Sequence, residues 1–145
     1  MTWNLVLAVH ILGATIWVGG MFFSLLVLRP SLAVLEPPMR LALHAQVFQR
    51  FFRVVWHVMP LTLLSGYAIL FGVYGGFRGA NPYIHIMHLL ALIMAAVFVW
   101  IYLAPWKQFR TDATGRPAAV DRIRKAIGIN FALGVVAIVM GALGN

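Results

Sequence analysis

Four runs of apolar residues, roughly 4–28, 54–75, 83–104 and 126–143, dominate the sequence. Each is long enough to cross the hydrocarbon core of a bilayer as a helix, which takes about 20 residues. A soluble chain of 145 residues has no use for four such stretches, and only 10% of this one is charged. Soluble domains carry about 25%. In lipid every backbone polar group must find its partner inside the protein, and a helix does this within one segment. The fold class expected is an all-α integral membrane protein, a single domain over residues 1–145 built as a four-transmembrane-helix bundle. Cysteine is absent, which excludes thiolate chemistry, iron–sulfur clusters and disulfides.

Three connections join the runs: 29–53, 76–82 (GFRGANP) and 105–125. The first carries Arg29, Arg40, Arg50 and Arg53, and the third Lys107, Arg110, Arg116, Arg122, Arg124 and Lys125. Only Arg78, of the 11 basic residues, lies in the second. The positive-inside rule then puts both long connections in the cytoplasm and both termini outside. A net charge of +8 is thereby spent largely on topology, and nucleic acid is not an expected partner. The amino terminus MTWNLVLAVH has no basic region ahead of its apolar run, so the run reads as a retained span. Within the first connection, PPMRLALHAQVFQRFFRVV reads as a short interfacial helix between spans 1 and 2, its Pro-Pro start suited to a helix N-terminus. Arg50, Arg53 and His57 fall on one face there. They suit either lipid phosphates or the carboxylates of a bound cofactor or substrate.

Orientation assigns each histidine a depth. His10 lies roughly 10 Å in from the outer end of the first span, and His85 and His88 lie roughly 4 to 9 Å in on the third. These three form one layer; His57, near the inner end of the second span, and His44, in the first connection, cannot join it. His85 and His88 are neighbours on one helix face. They can chelate one metal, or one can ligate haem iron while the other hydrogen-bonds nearby. His10, Gly13, Trp17 and Gly20 form a stripe on the first span, where the glycines admit a flat group or another helix. Ionisable side chains inside a membrane mark function by default, and no intramembrane carboxylate accompanies these imidazoles.

Other features have ordinary readings. Trp3, Trp56, Trp106 and Tyr83 sit near span ends, as an aromatic belt does. Pro60 is a tolerated kink, and Asn130 is expected to bond a neighbouring helix. Met21, Met59, Met87 and Met94 are soft donors, but Met87 points about 100° or more away from His85 and His88, and core packing is the simpler role.

Two segments carry a family resemblance. VHILGATIWVGGMFFSLLVLRP (9–30), with its His, Trp-Val-Gly-Gly and Leu-Arg-Pro, and QRFFRVVWHVMPLTLLSGYAIL (49–70) resemble conserved spans of the copper resistance protein D family. The pattern is also similar to small four-span HemJ-type protoporphyrinogen oxidases, with His10 and His85 at the positions of their histidines. Met87 departs from that pattern, standing where those proteins have lysine. The resemblance implies b-type haem binding or copper handling in a bacterial inner membrane.

The leading expectation is a membrane redox protein holding one haem b in its outer half, with His10 as one axial ligand and His85, or else His88, as the other. Trp17, Gly13, Arg53 and His57 would line or clamp the cofactor. Electrons would pass from a quinone or porphyrin-type substrate to an outside acceptor; no dedicated proton base is visible, so any catalysis would lean on the cofactor. The alternative is copper transport or delivery, with His10, His85 and His88 as a three-imidazole metal site. The partners expected are the bilayer and either a second copy or a larger membrane complex.

Overall fold

Proline sets where the later helices begin. Pro37, Pro82 and Pro105 each occupy the first position of a helix and Pro117 the second position of another, where the missing N–H costs nothing. The computed structural model describes residues 1–145, and its chain is helical throughout. α1 (Thr2–Phe22) passes into a π-helical stretch, Phe23–Leu28, then α2 (Arg29–Ser31) and a 3-10 turn, Leu32–Val34. α3 (Pro37–Gly72), α4 (Pro82–Leu103), α5 (Pro105–Thr111) and α6 (Arg116–Leu143) follow. Four helical stretches are long and apolar enough to cross a membrane: Thr2–Val34, Pro37–Gly72, Pro82–Thr111 and Arg116–Leu143. The protein is thus an all-helical, multi-pass membrane protein of four spans.

α3 is longer than the apolar run that marks it. No residue between Arg40 and Met59 breaks a helix, so the segment expected to lie in the interface continues without interruption into the second span. Pro60 lies inside this helix without ending it. Nearby, Thr62 and Ser65 return their hydroxyls to the carbonyls of Val58 and Leu61, at 2.8 and 2.6 Å.

α1 lies along α3, α4 lies along α6, and α1 also packs on α6. Glycines make both seams close. A Cβ on Gly13 would collide with the Thr62 hydroxyl, and one on Gly20 with the Phe51 ring. Across the other seam, Gly141 receives the Met87 thioether. α3 and α4 stand further apart and meet through large rings: Trp56 on Phe98 at 5.2 Å and on Tyr102 at 5.3 Å between centroids. Met21, Met59 and Met94 are buried, as core packing requires. Asn130, 1% exposed, donates from Nδ2 to the carbonyl of Met94 at 3.1 Å and so ties α6 to α4.

Trp106 departs from the belt reading. Pro105 turns the chain into α5, which folds back on α6 and carries the indole inward. There it is 5% exposed, edge-on to Phe52 at 5.3 Å and stacked on Phe109 at 5.4 Å. Trp3, Trp56 and Tyr83 are exposed, as belt residues are.

The termini share one end of the bundle. Trp3 covers Gly72 at the end of α3. Asn81 caps α4 by accepting from the Ile84 N–H at 3.2 Å and donates to the carbonyl of Gly144 at 2.7 Å. Between α3 and α4 the chain reverses through Gly75 and Gly76, at φ +73° and +97°, backbone that side-chain-bearing residues rarely adopt. Both long connections lie at the opposite, basic end.

Candidate metal centre

Each histidine of the expected layer is at the termini end of the bundle, but not on one face. His10, half-buried on α1, points at α3: its Nδ1 lies 2.8 Å from the carbonyl of Thr62 and 3.3 Å from the hydroxyl of Ser65. A ring nitrogen that close to a carbonyl carries the proton and donates it, which leaves the Nε2 lone pair uncommitted. The ring lies over Gly66, where a Cβ would stand 2.9 Å from its Cε1. Only glycine leaves room for it.

His85 and His88 occupy the first two turns of α4, which the Asn81 cap and Pro82 begin. His88 is half-buried, edge-on to Tyr67 at 4.7 Å and to Phe77 at 5.5 Å. His85 is exposed and lies nearly parallel to Phe77, 6.1 Å between centroids. The two imidazoles are near neighbours, with aromatic rings from α3 and the following turn as their walls. No carboxylate accompanies them.

His10 is not brought to this pair. His88 meets α3 at Tyr67, one residue beyond the Gly66 that His10 covers and therefore about 100° further round the helix. The three imidazoles share one end of the bundle, but α3 separates them around it. No group of three or more His, Cys, Asp or Glu side chains is gathered anywhere in the chain. This placement lends no support to one haem iron shared between His10 and His85, nor to a site of all three imidazoles. Two imidazoles three residues apart on a helix lie on neighbouring positions of one face.

The remaining candidates have other settings. Gly13 serves the α1–α3 seam, and Trp17, 3% exposed, is packed in the core. Arg53 and His57 are exposed on α3, and the Nδ1 of His57 is engaged with its own helix, at 2.7 Å from the Arg53 carbonyl. They form no enclosed clamp. Tyr67 and Phe77 are the residues that sequence reasoning missed, because nothing in an aromatic's position along a span says that it will wall a histidine pair.

No curated protein and no solved structure matches the chain at a significant level. The sequence model of one family, Copper resistance protein D, matches residues 45–143, which include His57, His85, His88, Tyr67 and Phe77 but not His10. That match covers well over half of the chain, with three of the four apolar runs and the paired imidazoles inside it, and the protein belongs to the copper resistance protein D family.

Proposed function

We propose that the chain handles copper in a bacterial inner membrane, receiving or releasing the ion at the termini end of the bundle through His85 and His88. Family membership is the observation that carries this reading. The pair supports it because imidazole is a good copper donor and adjacent rings on one helix turn can share an ion without the backbone moving. By the distribution of basic residues this end faces the periplasm, where copper would arrive from outside. Tyr67 and Phe77 hold the rings in place and keep one side of the pair dry. His10, with its free Nε2, offers a separate imidazole across α3. The haem b reading, with electron transfer from a quinone or porphyrin-type donor, has no such family support, and copper replaces it as the favoured ligand.

Copper titration of the detergent-purified protein against a chromophoric chelator, with iron and the visible spectrum recorded on the same sample, tests the proposal. About one copper per chain is expected, with affinity falling at least about tenfold in either His85→Ala or His88→Ala. A sharp Soret band with one iron per chain, and no chelator-competitive copper, would sink it.

A further inference from the structure

A cleft of about 400 Å³ opens at the basic end, between the foot of the first span, the start of α3 and α6. Arg29, Arg40, Arg124 and His44 line it, with Leu25 and Leu32 as apolar wall. On the first-span side Leu25 comes from the π-helical stretch Phe23–Leu28, a backbone form that recurs at functional sites, and Arg29, Pro30, Leu32 and Ala33 come from α2 and the 3-10 turn that follow it.

The state of each polar group suggests what would enter. Arg40 is fixed by its own loop: Nε donates to the Leu35 carbonyl at 2.7 Å and one Nη to that of Ala33 at 3.3 Å, leaving the other Nη free. Arg124 is held by Asp121 at 2.7 Å, but that carboxylate is shared with Lys125 at 2.9 Å. Arg29 has no ion-pair partner, and the buried Nδ1 of His44 has no hydrogen-bond partner. Three guanidiniums thus face one cleft, and the sole carboxylate paired with any of them is itself divided between two cations. Guanidinium forks match phosphate oxygens bidentately, and basic pockets between spans at the cytoplasmic face hold phospholipid head groups.

We infer that this cleft binds a phosphate group, with Arg29 and Arg124 as its principal ligands and His44 and Arg40 beside them. The phosphate belongs to an anionic lipid of the adjoining leaflet, whose glycerol and first methylenes would lie on Leu25 and Leu32, or it is free in solution. This site is separate from the copper reading and does not depend on it.

Native mass spectrometry of the detergent-purified protein with phosphatidylglycerol or phosphatidylcholine, and titration with inorganic phosphate, decide the matter. The wild type is expected to retain one phosphatidylglycerol in preference to phosphatidylcholine, and Arg29→Gln/Arg124→Gln to lose it by roughly thirtyfold. Arg29→Gln alone, at an exposed position, removes no hydrogen bond or ion pair within the protein, so the fold should be kept, and it should lose several-fold. Arg50→Gln/Arg53→Gln, which removes exposed cations outside the cleft, should retain the lipid. Saturable inorganic phosphate that is lost in the Arg29 variants, without lipid preference, would assign the same site to the free anion. Equal retention of both lipids with no phosphate binding, or equal loss in the Arg50/Arg53 variant, overturns the inference.

Discussion

His10 and Thr62 are joined across the α1–α3 seam by an imidazole N–H donated to a main-chain carbonyl 2.8 Å away. The bond fixes the tautomer and the ring plane, and it does so without touching the histidine pair on α4. His10→Ala removes the bond and leaves a void over Gly66. A stability loss of about 1 to 3 kcal/mol is expected, read as an earlier unfolding midpoint in detergent, since interhelical bonds are worth about 1 kcal/mol and the void adds to that. Copper affinity at His85 and His88 should change less than about threefold, because the nearest shared element is α3 itself.

Close approach of α1 and α3 rests on Gly13. A methyl there meets the Thr62 hydroxyl, whereas a methyl on Gly19 meets nothing within 4 Å. Gly13→Ala should therefore cost about 1 to 3 kcal/mol, the range for forcing packed elements apart. Gly19→Ala should be neutral or stabilising by up to about 1 kcal/mol through helix propensity. Thermal melts of the two variants side by side check this; equal midpoints would mean that the seam is not set by the glycine.

Asn81 holds two points at once, the N-terminus of α4 and the carbonyl of Gly144 after α6. Asn81→Ala should cost about 1 to 2 kcal/mol, roughly one for the cap and up to one for the second bond. Asn81→Asp keeps the cap acceptor but loses the amide donor, so it should fall between the two. Hydrogen exchange at the first turn of α4 would show the difference directly.

Met87 lies between the two histidines in sequence but faces Gly141 on α6, with its sulfur on the glycine. Met87→Leu should leave copper affinity within about twofold and shift stability by under about 1.5 kcal/mol, as volume-conserving core exchanges do. A tenfold loss of copper would place the thioether in the metal site after all.

Much of this architecture is legible from residues alone. Four spans follow from the bilayer's demand for about 20 apolar residues, and the sorting of arginines to one end follows from the same helices. A buried amide in lipid has little else to do than bond a neighbouring helix, and Asn130 reaches the carbonyl of Met94. The histidine layer was legible in one coordinate only. Rise per residue fixes depth, but which neighbour a helix turns its face toward is set by packing, and Gly66 draws His10 onto α3. Trp106 was illegible for a related reason: Pro105 marks a helix start, and whether the helix then runs outward or folds back depends on the aromatic core it finds. The cleft at the basic end had no signature at all, since Arg29, Arg40 and Arg124 are far apart in sequence.

α3 carries His44, at the rim of the basic cleft, and Tyr67, against the histidine pair, on one unbroken rod. Twenty-three residues of helix set these about 35 Å apart. The glycine seam with α1 meets this rod between the two, at Phe51 and Thr62, so both sites stand on one support that α1 holds near its middle. Pro60, which omits one backbone bond along the way, does not interrupt it. The separation of the two ends is therefore set by the rise of one helix, with no loop between them to vary it.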